Sequence, residues 1–434
     1  MKGFYIWTVG CQMNKADSER TGAALEQLGL RCVESPREAD IVVLNSCVVR
    51  QNAEDRVVGM LSSLKPLKEQ HPERILALMG CMVGPSHDEL RRRFPYVDVF
   101  MRPQQVESLV RQVGQRLGME VDGCLGPLVP ARPEVVTHVP VVHGCDKFCT
   151  FCIIPYRRGR EVSRPVEEVV RECEVLARRG MHEVVLLGQN IDSYGHDLPG
   201  RPDLGDLLEA IHAVAGLARI RFLTSHPNDM TDRIIRAVAA LPKVCPHINL
   251  PFQAGDDTVL ANMRRGYTSA QYRRLVEKIR AAIPGVALST DLIVGFPGET
   301  EEQFQRSVEM VRDIRFDKVH VAMYSPRPGT IAWRKMGDDV LLEEKERRFC
   351  VIEGLQAQIA SELNAAHLGR TLEVLVEGRR QGKWQGRTTT DKLVFFEHPG
   401  DLVGEVVQVR ITHTSPWSLQ GSVVEARTPV VAAR

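Results

Sequence analysis

Long apolar runs are absent: nowhere do 18 residues follow one another without a polar one, which argues against a membrane-spanning helix. The opening stretch, MKGFYIWTVGCQMNKADSER, lacks an apolar leader with a small-residue cleavage site. It reads as a strand that begins the fold, and a cytoplasmic location is expected. An excess of charge is missing too: 56 Lys and Arg stand against 55 Asp and Glu, a net +1. The molecule as a whole therefore advertises no polyanion partner, and any nucleic-acid surface has to be a local patch. Cytosolic thiols stay reduced, so the eleven cysteines read as metal ligands plus core residues rather than as a disulfide framework. A length of 434 residues with 43% hydrophobic content fits two or three soluble domains with a sizeable core.

A fourth cysteine is also missing where one would be sought. HGCDKFCTFC, residues 143–152, spaces Cys145, Cys149 and Cys152 as C-x3-C-x2-C. A structural zinc site takes four ligands, and the usual ferredoxin spacings differ from this one. Three thiolates can hold three irons of a [4Fe–4S] cluster and leave one iron open to a small chelating ligand. A zinc loop with a distant fourth ligand is the other reading. With Phe151 before the last cysteine, the stretch resembles the signature of the radical S-adenosylmethionine superfamily. That resemblance implies that the open iron chelates S-adenosylmethionine, whose reductive cleavage yields a 5′-deoxyadenosyl radical.

Between 139 and 330 six β-rich runs alternate with amphipathic segments such as RPVEEVVRECEVLARRG and SAQYRRLVEKIRAAI. This pattern predicts parallel strands with crossover helices. The superfamily resemblance implies a partial TIM-type (βα)6 barrel. In such barrels chemistry gathers at the C-terminal strand ends, where Gln189–Asn190, Ser225–His226, Gln253–Gly255, Gly295–Glu299 and Tyr324–Gly329 lie. Phe151, Gln189, Asn190, Ser225, Gln253 and Asp291 are the candidate S-adenosylmethionine contacts.

Upstream, FYIWTVGC, ADIVVLNSC and RILALMGC each run as a strand into a cysteine: Cys11, Cys47 and Cys81. The intervals are about one βαβ repeat. KADSERTGAALEQLGL between the first two reads as a helix, with Asp17 or Ser18 as N-cap. Parallel strands end on one sheet edge, so three such cysteines converge on one crevice of a Rossmann-like α/β domain. Buried core cysteine is the plainer account for any one of them. Cys32, Cys124, Cys173, Cys245 and Cys350 read as core or linker residues.

A second three-thiolate set beside a radical-cofactor loop resembles the methylthiotransferases over nearly the whole chain. VGCQMNKADSE, LNSCVVRQNAE, MGCM, GCDKFCTFCIIPYRRGREVSRP, INLPFQAGDDTVLANMRRGYT, STDLIVGFPGETEEQF and YSPRPGT carry the likeness. Ala254 stands where the family often has Ser, and the tail beyond about 425 matches nothing. The resemblance implies two [4Fe–4S] clusters, with Cys145, Cys149 and Cys152 holding the one that cleaves S-adenosylmethionine. Cys11, Cys47 and Cys81 then hold an auxiliary cluster that carries the sulfur to be inserted.

The last stretch, 370–434, changes to strand-like runs and fits a small all-β, OB-like barrel. It resembles the TRAM domain, an RNA-binding module. Its segment GRRQGKWQGRTTTDK offers Arg379, Arg380, Lys383 and Arg387 near Trp384, suited to phosphate contact with stacking. PYRRGREVSRP, directly after the cysteine loop, offers Arg157, Arg158 and Arg160. The expected domains are 1–120 (auxiliary cluster), a Pro- and Gly-containing linker 121–138, 139–369 (radical core with a connecting helix) and 370–434 (TRAM).

The family resemblance implies a tRNA methylthiotransferase. It would place a methylthio group on C2 of N6-isopentenyladenosine next to the anticodon, using two S-adenosylmethionines. Expected partners are a tRNA bearing that base and an electron donor such as flavodoxin or ferredoxin, with no membrane, the enzyme acting as a monomer. Alternatives are a threonylcarbamoyladenosine tRNA methylthiotransferase, a ribosomal-protein aspartate methylthiotransferase and, last, a non-catalytic iron–sulfur RNA-binding protein.

Overall fold

The computed structural model describes residues 2–47, 51–103, 105–118, 121, 126 and 128–426. The chain forms two units: Met1–Arg132 with His143–Asp146 and Ile153–Glu161, and Pro133–Val142 with Lys147–Cys152 and Val162–Arg434. The cysteine loop is divided between them, Cys145 in the first and Cys149 and Cys152 in the second. Cys124 lies outside the described residues.

The first unit opens with β1 (Gly3–Val9), α1 (Gln12–Gln27), β2 (Arg31–Cys32), β3 (Ile41–Ser46) and α2 (Gln51–Gln70). It continues with β4 (Ile75–Gly80), α3 (Asp88–Arg93), β5 (Val99–Met101) and α4 (Val106–Leu117). The five strands form one sheet, ordered β2-β1-β3-β4-β5, and every pairing is parallel. Continuous apolar runs such as IVVL suit a sheet covered on both faces. Val42 and Leu44 join one core layer with Leu76 and Leu78, and Ile41 and Val43 join the other with Ala77 and Met79. The order is that of a doubly wound sheet whose switch point falls between β1 and β3.

Helix α1 begins earlier than the sequence predicts. Cys11 is the N-cap, and the Asn14 side chain accepts the Cys11 backbone N–H at 3.4 Å. Asp17 and Ser18 are buried within the helix instead.

Next come β6 (Val136–Pro140), β7 (Val142–His143), α5 (Ile154–Arg158), β8 (Val162–Ser163), α6 (Val166–Arg178) and β9 (Glu183–Leu187). Then follow α7 (Leu204–His212), β10 (Arg219–Leu223), α8 (Asp232–Ala240), β11 (His247–Asn249), α9 (Asp257–Asn262) and α10 (Ser269–Ala282). β12 (Ala287–Val294), α11 (Glu301–Ile314), β13 (Lys318–Met323), α12 (Ile331–Lys335) and α13 (Leu342–Ala365) complete this series.

The six expected parallel strands of the second unit pair as β6-β9-β10 and β11-β12-β13. Regular pairing lapses between β10 and β11, where the His247 N–H turns back onto Cys245 O at 2.8 Å. A bridge from Ile220 to Val244 and the Ser225 N–H to Asn249 carbonyl bond carry the sheet across. Two of the helices are fixed at their starts by capping boxes, Thr268 with Gln271 on α10 and Thr300 with Gln303 on α11.

After α13, β14 (Thr371–Arg380), β15 (Lys383–Arg387), β16 (Leu393–Glu397), β17 (Val406–Thr414) and β18 (Leu419–Ala426) close into a barrel ordered β14-β15-β16-β18-β17. Alternate residues, including Val374, Val376, Val394, Phe396, Val407, Val409 and Ile411, fill its interior. Among the described residues no helix is long and apolar enough to cross a membrane.

Candidate active site

Register decides where the N-terminal cysteines fall. Val9 pairs with Ser46, and Ser46 with Gly80, so β1, β3 and β4 end level with one another. Cys11, Cys47 and Cys81 follow those three ends. Gly80 sits at φ +102°, and a Cβ there would come within 2.3 Å of the Ser46 carbonyl oxygen. The backbone thus presses against β3 one residue before Cys81, whose N–H donates to Ser46 O at 2.8 Å. A Cβ at Gly10 would stand 3.0 Å from Cys47 Cβ. Cys47 and Cys81 are buried and Cys11 is exposed.

A polar network underlies the three thiols. Asn14 Nδ2 donates to Asn45 Oδ1 at 2.9 Å and to Ser46 O at 3.1 Å. Asn45 Nδ2 donates to Asn14 O and Ser18 Oγ. Beside the network, Arg158 donates Nε–H to Cys81 Sγ at 3.2 Å and Nη2–H to Asp17 Oδ2 at 3.0 Å. Both side chains of that ion pair are about 1–2% exposed. Burial pushes the Cys81 thiol up to about 11, with the Arg158 cation opposing. Burial likewise raises the Asp17 carboxyl against the pull of Arg158. The third guanidinium nitrogen, Nη1, is buried with no acceptor. Three thiols at one sheet edge, with a buried donor lacking its acceptor, fit a thiolate-held metal group.

The 145–152 loop is pinned at both ends. Gly144 lies at φ +77°, and a Cβ there would meet Arg160 O at 2.0 Å, while the Cys145 N–H donates to Gly159 O at 3.1 Å. In the second unit, Thr150 N–H bonds Met263 O, Thr150 Oγ1 bonds Asn262 O, and Ala332 N–H reaches Thr150 O at 2.8 Å. Cys149 Sγ accepts from Arg265 Nη1 at 3.3 Å. The same guanidinium holds Tyr267 Oη and Pro251 O. Phe151 is half-buried.

Around this half of the loop the ends of β9 and β10 meet. Lys147 Nζ lies 2.6 Å from Asp229 Oδ2, which also accepts from Asn190 Nδ2 at 2.7 Å. Asp192 accepts from Ser225 Oγ at 2.9 Å and His226 N–H at 3.0 Å. Burial pushes the Asp192 carboxyl up to about 7 and holds the His226 imidazole down at about 2, so His226 is neutral. Its ring stands edge-on to Tyr267, centroids 6.0 Å apart. Tyr267 Oη reaches Pro251 O and Phe252 O, leading to Gln253. Gln253 adopts a left-handed φ of +68° and donates its N–H to Asp291 O at 2.9 Å. Gln189 Oε1, Asn190 Oδ1 and His226 Nε2 are buried without partners. Donors and acceptors left open at strand ends beside a thiol loop fit a polar cofactor such as S-adenosylmethionine.

The sequence-based list needs one correction and some narrowing. Arg158, expected to face RNA, is buried because Asp17 and Cys81 hold it. Arg160 is exposed but pairs bidentately with Asp146, and Arg157 is half-buried. In the barrel Arg387 is engaged by Glu377 and Asp391. Arg379 stacks over Trp384 at 4.1 Å, Arg380 is exposed, and Lys383 lies 3.7 Å from Glu397. Lys147, Asp192, Asp229, Arg265 and Tyr267 belong to the hydrogen-bonded groups around this candidate site, and spacing alone does not single them out.

Comparison with known proteins matches residues 139–311 to the radical SAM superfamily, 3–102 to the uncharacterized protein family UPF0004, and 366–424 to the TRAM domain. The chain is 52% identical to the tRNA-2-methylthio-N(6)-dimethylallyladenosine synthase of Roseiflexus sp. strain RS-1, covering 99% of this chain and 91% of that one. It is 51% identical to the protein of the same name from Chloroflexus aurantiacus, over 96% and 91%. In fold it is similar to the radical S-adenosylmethionine methyltransferase TsrM of Kitasatospora setae, solved with cobalamin and a [4Fe–4S] cluster bound. That likeness has a TM-score of 0.57 at 14% identity and covers 77% of each chain. With half its residues shared with such relatives from end to end, the chain belongs to the radical S-adenosylmethionine methylthiotransferase family, in its MiaB branch of tRNA-modifying enzymes.

Proposed function

We propose that this chain is a tRNA-2-methylthio-N6-isopentenyladenosine synthase, the isopentenyl substituent being the dimethylallyl of its relatives' names. The observation that carries the reading is the pairing, in one chain, of a C-x3-C-x2-C loop with three further thiols at level strand ends. Cys145, Cys149 and Cys152 would hold one [4Fe–4S] cluster, and Cys11, Cys47 and Cys81 a second. With S-adenosylmethionine bound, the clusters supply radical and sulfur chemistry that side chains cannot perform on an unactivated adenine C2–H.

The chain's own residues bind and orient. Phe151, Gln189, Asn190, Ser225, Gln253 and Asp291 are assigned to S-adenosylmethionine. The open atoms of Gln189, Asn190 and His226 support that assignment. Neutral His226 offers hydrogen bonding without repelling the cationic sulfonium. Arg379, Arg380 and Lys383, with Arg157, are assigned to tRNA phosphates. A base in a loop is splayed out at modest cost.

We assign 1–120 to the auxiliary cluster, 139–369 to the radical core and 370–434 to RNA binding, joined by the linker 121–138. A flavodoxin- or ferredoxin-type donor, a cytoplasmic location and a monomeric enzyme complete the reading. Mass spectrometry of tRNA nucleosides tests it. A strain lacking the gene should accumulate N6-isopentenyladenosine, and restoring the gene should convert it to the 2-methylthio form. Unmethylthiolated base after restoration would reject this substrate.

A further inference from the structure

Arg158 is bonded on two sides and open on the third. Its Nε–H meets Cys81 Sγ, its Nη2–H meets Asp17 Oδ2, and its buried Nη1 has no acceptor. A buried guanidinium left partly unsatisfied is costly unless something in the site completes it. The Cys81 crevice is where a negatively charged thiolate-bound group would sit. Donors to cluster sulfurs raise reduction potential and orient the ligands. Asp17 limits the effect by sharing the cation.

We propose that Arg158 is a positioning residue for the auxiliary cluster, hydrogen-bonding the Cys81 thiolate and the bound group, with Asp17 setting how much of its charge the cluster feels. This rests on the assignment of Cys11, Cys47 and Cys81 to that cluster.

The test uses the full chain carrying Cys145→Ala, Cys149→Ala and Cys152→Ala, reconstituted anaerobically, so that one cluster remains. Iron near four per chain supports the assignment, and iron near zero overturns it together with the role of Arg158. Midpoint potential, electron paramagnetic resonance of the reduced cluster and release of iron to a chelator are then compared. Arg158→Gln combined with Asp17→Asn removes the cation without stranding a buried carboxylate. It should move the midpoint to more negative values and speed iron release severalfold. Arg158→Lys should bring the midpoint back toward the parent. Asp17→Asn alone, which keeps Arg158, should move it to more positive values, and this arm stands even if the double variant fails to fold. A parental midpoint, spectrum and release rate in the double variant, or an unmoved midpoint in Asp17→Asn, would overturn the proposal.

Discussion

Arg221 holds Glu183 with its Nε at 2.8 Å while its Nη1 and Nη2 donate to the carbonyls of Thr389 and Thr388. One buried arginine on β10 thus ties two strands of the core to the C-terminal barrel. Arg219 adds bonds to Arg387 O and Glu373, and Lys392 pairs with Asp317. The barrel is docked on the core, so cutting it away would strand buried charge. Arg221→Met should cost about 3 kcal/mol, the scale of breaking a buried pair, read from urea unfolding. A loss under about 0.5 kcal/mol would place the docking energy elsewhere.

RNA affinity is better probed at the β14–β15 tip, away from the docked residues. Arg379→Ala, Arg380→Ala and Lys383→Ala together should weaken tRNA binding. They should also flatten the log–log salt slope by roughly 0.7–0.9 per lost phosphate contact. Arg387→Ala should alter the slope little, since Glu377 and Asp391 already hold that side chain. An unchanged slope in the triple variant would move the RNA surface off this hairpin.

Stability should depend on Asp192. Burial raises its folded pKa to about 7, above the ordinary value near 4. Between those values the folded chain keeps a proton that the unfolded chain releases. Stability therefore falls as pH rises from about 4 to 7, by on the order of 4 kcal/mol if this group acts alone. Asp192→Asn should flatten that decline in unfolding measured across the window. An equally steep decline in the variant would assign it to other groups.

Gly80→Ala should damage the N-terminal thiol site selectively. The added methyl would collide with the Ser46 backbone at a positive φ, forcing β4 away from β3 just before Cys81. Iron bound by the chain whose loop cysteines are replaced should drop by half or more, whereas Gly118→Ala, also at a positive φ of +67° but with nothing near its Cβ, should spare it. Equal iron in the two variants would contradict the close approach.

Periodicity and strand-end punctuation made much of the architecture legible. VVLN and LALM read as strands running into a cysteine, and the β3–β4 register that pairs Ser46 with Gly80 brings Cys47 and Cys81 level. The arginines were less legible. PYRRGR and MRRGY look like solvent-facing basic runs, yet Arg158 and Arg265 turn inward, each onto a cysteine sulfur. Nothing in a one-dimensional pattern distinguishes a cation that waits for phosphate from one spent on a buried thiol. Asp17 misled in the same way: an acid near a helix start resembles an N-cap, but its partner comes from a segment 141 residues away.

The most direct test of two thiol sets with separate tasks is made on one variant, Cys11→Ala/Cys47→Ala/Cys81→Ala. Reconstituted anaerobically, it is given S-adenosylmethionine, a strong reductant and tRNA bearing N6-isopentenyladenosine. 5′-Deoxyadenosine and the 2-methylthio nucleoside are quantified side by side. 5′-Deoxyadenosine should continue to form, with no methylthio nucleoside. Methylthio product at the wild-type level, or loss of 5′-deoxyadenosine from a folded variant, would contradict that division of tasks.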